Sequence, residues 1–133
     1  MNPSLIAIET SSAPAPVGPY SQAIVVNGWL YCSGQIALNP STGLMVGNGN
    51  VIEETDQVLK NLQAVLSAAN ATPEDVVKTT IYLQNLKDFA KVNQIYSNFF
   101  KGITSPARAC VEVAALPKGA LVEIDCIAYV EKA

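Results

Sequence analysis

An α+β domain, with a mixed sheet of about six strands and two helices on one face, is the fold this sequence predicts. Three observations lead to it. Short segments with two-residue alternation open and close the chain. Two longer segments between them repeat their apolar residues at the helical period. Strand and helix signals do not alternate regularly, as they would in a doubly wound parallel sheet. With 133 residues the chain is one domain, 1–133, long enough to enclose a core.

The elements follow in order. Ile6 and Ile8 mark a short first strand. Residues 13–20, Ala-Pro-Ala-Pro-Val-Gly-Pro-Tyr, form an ordered loop, because proline fixes φ and cannot donate to a sheet. Residues 23–26, then Asn27-Gly28, then 29–33 read as a hairpin, since Asn-Gly suits a type I′ turn. Residues 39–50 carry Pro40 and three glycines and read as loop. Thr55, Val58, Leu59, Leu62, Val65, Leu66 and Ala69 form the apolar stripe of a first helix. Glu53, Glu54 and Asp56 near its start suit the helix dipole, and Asn70 ends it.

Thr72-Pro73-Glu74-Asp75 is a capped turn leading into a strand over 76–83. Phe89, Val92, Ile95, Tyr96, Phe99 and Phe100 form the stripe of a second helix, with Asp88 as N-cap and Gly102 as its end. A strand from Ala107 follows, then a turn at Leu116-Pro117-Lys118-Gly119, then a last strand over 121–130.

Side-chain parity assigns faces to these strands. Val122, Ile124, Cys126, Ala128 and Val130 make a wholly apolar face that belongs against the helices. By the same logic Val77, Thr79, Ile81 and Leu83, and Ala107, Ala109, Val111 and Val113, pack under the helices. Arg108, Cys110 and Glu112 then share the opposite face with Glu123, Ile127, Tyr129 and Tyr82. That face is too apolar for water and too polar for a core, which points to burial against other subunits.

Composition closes several routes. The chain is 50% apolar and 14% charged, so it folds rather than staying disordered, and part of its surface is expected to be covered by another subunit. A formal net charge of −3 lacks the electrostatic footprint of a nucleic-acid binder. There is no histidine, which removes Ser-His-Asp triads, histidine metal sites and histidine bases. Cys32, Cys110 and Cys126 are scattered and odd in number, which suits reduced thiols in a cytoplasmic protein better than a disulfide framework or a zinc site. Neither a signal peptide nor a membrane span is read. The residue that stands out is Arg108, near the start of a strand in so apolar a chain: either it pairs with Glu123 or Glu112 as a structural salt bridge, or its guanidinium holds a ligand.

The run "PARACVEVAALPKGALVEIDCIA" resembles the signature of the Rid family, the reactive-intermediate (enamine/imine) deaminases. "VGPYSQA", "LYCSGQI", "VVKTTIYL" and "FAKVNQIYSNFF" resemble further family blocks in family order, so the resemblance covers essentially the whole chain. It implies a chorismate-mutase-like fold and a homotrimer with sites between subunits. It also implies hydrolysis of 2-enamino and 2-imino acids, such as 2-aminoacrylate or 2-iminobutyrate, to 2-oxo acids and ammonia, with no cofactor and no metal. Position by position, it implies that Arg108 binds the substrate carboxylate and that the backbone at Cys110 contacts substrate. Glu123 would position or activate water, and Tyr20, Ser33 and Asn93 would complete the pocket. Two rival readings stay open at this level. One is a ribonuclease or translation inhibitor; the other is a non-catalytic small-molecule-binding or chaperone-like protein using the same clefts.

Overall fold

The computed structural model describes residues 3–131. Six strands form one sheet: β1 (Ile6–Ile8), β2 (Ala23–Val26), β3 (Trp29–Gln35), β4 (Val76–Leu83), β5 (Ala107–Glu112) and β6 (Val122–Tyr129). Their spatial order is β1-β2-β3-β6-β4-β5. Only β4 and β5 run parallel; every other neighbouring pair is antiparallel. The helices α1 (Val51–Ala68) and α2 (Phe89–Phe99) cover one face, α1 lying on β3 and β6 and against α2. The expected α+β architecture is the observed one.

Local chemistry explains the boundaries. Asn27 and Gly28 take positive φ, 51° and 79°, as a type I′ hairpin turn demands. Helix α1 begins at Asn50, whose side-chain oxygen accepts from the N–H groups of Ile52 and Glu53. It stops where Asn70 turns to φ 57° and the Ala71 N–H returns to the Leu66 carbonyl at 2.9 Å. The Thr72 N–H donates to the Asp75 carboxylate at 2.9 Å, closing the capped turn ahead of β4.

Asp88 is not the cap that its position promised. It already has helical φ and ψ and makes no capping bond. A helical turn at Leu86–Asp88 runs directly into α2, and the cap sits earlier, on Asn85, which accepts from the Lys87 N–H at 3.0 Å.

The core lies between the helices and the sheet. Val122, Ile124, Cys126 and Ala128 of β6 are buried there, as parity predicted, together with Thr79, Ile81 and Leu83 of β4. Parity fails in two places. At the start of β4 the pairing with β6 shifts register between Val76 and Lys78, so Val76 is buried and Val77 is exposed. In β5 the faces are the reverse of those expected. The parallel register pairs Thr79 with Arg108 and Ile81 with Cys110, and paired residues point the same way. Arg108 and Cys110 therefore lie on the helix side, while Ala107, Ala109 and Val111 are on the open side. β5 is an edge strand, exposed at every position except the half-buried Cys110. Burial therefore does not dictate its register as it does in β6.

Inside the core, Thr79 Oγ1 and the Tyr96 hydroxyl share a hydrogen bond of 2.7 Å that ties α2 to β4. Glu54 is also buried: its carboxylate accepts from the Leu121 N–H at 2.9 Å and fixes the chain entering β6. Burial pushes its pKa up, and nearby Asp88 adds to this against the opposing Leu121 hydrogen bond. The unfolded chain ionises near the ordinary carboxyl value, while the folded chain holds its proton to higher pH. Folding stability from this group therefore falls as pH rises through that window. Glu54→Gln keeps an oxygen for Leu121 and removes the charge. Its melting temperature relative to wild type should rise between pH 4 and pH 7, as thermal scans at several pH values would record. A constant difference would contradict this. No helix among the described residues is long and apolar enough to cross a membrane.

Candidate active site

The open face of the sheet carries an aromatic patch. Trp29 and Tyr129 meet edge to face at 4.8 Å, with Tyr31 beside them, and all three are more than a third exposed. The Tyr82 hydroxyl donates to Asp125 at 3.1 Å further along this face.

Glu123 stands at the end of the same face, in a cleft of about 380 Å³. The proline loop forms one wall through Pro14, Ala15, Val17 and Tyr20. Ser33, Gly34 and Gln35 of β3, with Pro117, form the other. Gln22 holds the loop in place: its Oε1 accepts from the Thr10 N–H at 2.7 Å, and its Nε2 donates to the carbonyls of Thr10, Ala13 and Pro14 at 3.0, 3.3 and 2.9 Å. The Ser33 hydroxyl donates to the Ser21 carbonyl at 2.6 Å, so its proton is committed and only its lone pairs face the cleft. The Tyr20 hydroxyl accepts from the Val17 N–H at 3.3 Å and leaves the ring half-exposed at the mouth. Glu123 is half-buried; burial first and the Asp125 charge second raise its pKa. It is a carboxyl group poised to exchange protons above the usual carboxylate range.

Arg108 occupies a second cleft on the helix side. Its Nη1 donates to Asn93 Oδ1 at 2.7 Å. Its guanidinium lies 4.9 Å from the Tyr96 ring centroid and 5.4 Å from that of Phe89. Among the described residues it makes no ion pair, and Glu112 instead accepts from the Leu86 N–H at 2.8 Å. The structural salt bridge to Glu112 or Glu123 is not formed. The guanidinium is exposed, held flat by two rings and one amide, with donors left over. Cys110 is half-buried on the same side, and burial pushes its thiol pKa up against the opposing pull of Arg108, which disfavours a thiolate nucleophile. The Val113 N–H donates to the Leu83 carbonyl on β4. By strand alternation, the N–H groups of Cys110 and Arg108 then point outward along the free edge of the sheet.

Tyr20, Ser33 and Glu123 therefore come together, and so do Arg108 and Asn93 with Cys110 beside them. The two groups do not meet within one chain. Arg108 pairs with Thr79 and Glu123 with Tyr82, so the two lie two strands and three residues apart, roughly 14 Å by standard strand spacings, on opposite sides of the sheet. The sequence reading missed Gln22, Gly34 and the Phe89–Tyr96 platform. A glutamine directly before an apolar strand was the available signal for the first. The helical stripe held the third, but was read only as core.

Residues 10–130 match a family model described as Endoribonuclease L-PSP. The chain is 58% identical over 121 residues to a RutC family protein of Synechocystis, covering 91% of this chain and 93% of that one. It is 51% identical over 121 residues to the 2-iminobutanoate/2-iminopropanoate deaminase of Mus musculus, covering 91% and 88%. Among solved structures, a Rid family protein of unknown function from Yersinia pestis, YyfA, superposes with a TM-score of 0.93 at 54% identity, over 96% of this chain and all of the other. With its fold and nearly its whole length shared in this way, the chain belongs to the Rid family, whose family model bears the endoribonuclease L-PSP description and whose named members include imine deaminases.

Proposed function

We propose that this protein hydrolyses 2-imino and 2-enamino acids to 2-oxo acids and ammonia, in clefts where Arg108 of one subunit of a homotrimer faces Glu123 of the next. The observation that carries this is the split arrangement: an exposed arginine with no ion pair among the described residues and a carboxyl group of raised pKa, each lining a cleft, on opposite sides of one sheet. Neither cleft alone is a complete site for a small imino acid. The open aromatic face offers a surface through which copies can join. The deaminase names of the mammalian relatives support the same reaction.

The residues account for the chemistry. An imine carbon is already electrophilic, so orientation and proton transfer suffice. The Arg108 fork would take the substrate carboxylate with two parallel N–H donors, its plane set by Asn93 and the two rings. The outward N–H of Cys110 lies on the same edge for a further contact. Glu123, from the other subunit, would take a proton from water as it adds to C=N and return it to the departing nitrogen. The balance is imino acid plus water giving oxo acid plus ammonia. Tyr20 and Ser33 would shape the wall of that cleft. With no histidine in the chain, no ligand set of the usual structural kind is at hand, and no metal enters the scheme.

The test is release of ammonia from freshly generated 2-aminoacrylate or 2-iminobutyrate. Acceleration over the spontaneous rate is expected; RNA cleavage without such acceleration would favour the ribonuclease reading instead. Assembly is tested separately. Light scattering should give a trimer at micromolar concentration, and Tyr31→Glu, a charge placed on the open aromatic face, should give monomers without imine turnover. A wild-type monomer under the same conditions would contradict the proposal.

A further inference from the structure

Six glycines of this chain adopt positive φ, where a side chain would be strained. Gly34 does not. It sits inside β3, where the pairing with β6 is irregular between Cys32 and Gln35, with a backbone that any residue could adopt. Glycine in the interior of a strand weakens it, so backbone geometry gives no reason for its presence. The space above it does. A Cβ built on Gly34 would lie 2.6 Å from Glu123 Oε2, 2.8 Å from Cδ and 3.0 Å from Cγ, and these are its three nearest neighbours. The missing side chain is occupied by the Glu123 carboxyl group.

We infer that Gly34 is a positioning residue: its lack of a Cβ seats the Glu123 carboxyl group against β3, at the bottom of the cleft. The inference rests on the proposed role of Glu123 and adds what holds that group in place. The conflict that a methyl group creates is with a flexible side chain and not with backbone. The fold therefore tolerates Gly34→Ala, and the cost falls on where the carboxyl group points. A displacement of about 1 Å at a reacting group costs on the order of a hundredfold.

Gly34→Ala should remain a trimer with a melting temperature near that of wild type, while kcat for imino acids falls about tenfold to a hundredfold and KM changes little. Its acidic limb in kcat/KM should also move toward the ordinary carboxyl range, because the displaced group meets more water. In a Glu123→Gln background the same change should cost less than about twofold in the residual rate, since residues that act as a unit are not additive. Full turnover in Gly34→Ala overturns the inference. So does an equal loss in both backgrounds, which would mean that Gly34 acts without Glu123, and so does a chain that no longer folds. If Glu123→Gln itself turns over normally, the role assigned to Glu123 fails first, and this inference falls with it.

Discussion

Glu123→Gln is expected to lower kcat for 2-imino acids by about a hundredfold to ten-thousandfold, the usual contribution of a positioned general acid–base group. KM should change little, because the carboxylate of the substrate is gripped elsewhere. The pH dependence is the sharper signature. Burial and the Asp125 charge raise the pKa of this carboxyl group, so the basic form needed to take a proton from water appears only above the ordinary carboxyl range. Wild-type kcat/KM should climb with pH through that raised value, and the climb should be absent in the Gln variant. Stability runs the other way. The folded chain holds this proton to higher pH than the unfolded chain, so the group's contribution to stability declines as pH rises through the window. At neutral pH Glu123→Gln should therefore melt no lower than wild type. Loss of turnover with a steady or higher melting temperature separates a chemical role from a structural one; a large drop in melting temperature with normal kcat would reverse the assignment.

Arg108→Lys should lower kcat/KM about tenfold to a hundredfold. It keeps the charge but loses the planar pair of donors, and a charge-assisted hydrogen bond contributes roughly 1.5–3 kcal/mol. Arg108→Ala should cost more, because the substrate carboxylate would then be desolvated without a partner. Stability should hardly follow. The guanidinium is exposed, its ring contacts with Phe89 and Tyr96 contribute about 0.5–1 kcal/mol at such a site, and its one amide partner is Asn93. Trimer content by light scattering and melting temperature should be near wild type for both variants. If Arg108→Ala kept near-normal turnover but melted far lower or came apart into monomers, the arginine would be serving the fold.

The legibility of the sequence divides along physical lines. Elements whose period is enforced by burial were readable: β6 with Val122, Ile124, Cys126 and Ala128 facing the core, and α1 with its apolar stripe. So were turns set by single residues, Asn27-Gly28 and Asn70. The edge strand β5 was not, because no core pressure selects its face; its register comes from pairing with β4, which no single-strand pattern contains. That one reversal matters most for function. It moves Arg108 from the side of Glu123 to the side of Asn93 and Tyr96, and turns an expected shared face into two separate clefts. At the site, Arg108 stood out at the start of its strand, but the residues alone left it open between an ion pair and a ligand, and the roles expected of Glu123, Tyr20, Ser33, Asn93 and Cys110 came from the family resemblance. Gln22 and Gly34 were not, since their roles exist only in contacts across the fold.

The central claim is that each site takes Arg108 from one subunit and Glu123 from another, and mixing two inactive variants tests it most directly. Arg108→Ala trimers and Glu123→Gln trimers would each be purified, mixed, allowed to exchange subunits under mild denaturant and returned to buffer. At an equal mixture, random assembly puts an intact Arg108 opposite an intact Glu123 at roughly a quarter of the interfaces of a cyclic trimer. Ammonia release should therefore recover to about that fraction of wild type, only after exchange, and should vanish if either variant is omitted. Exchange confirmed by mass spectrometry with no recovery of turnover would contradict a site shared between subunits.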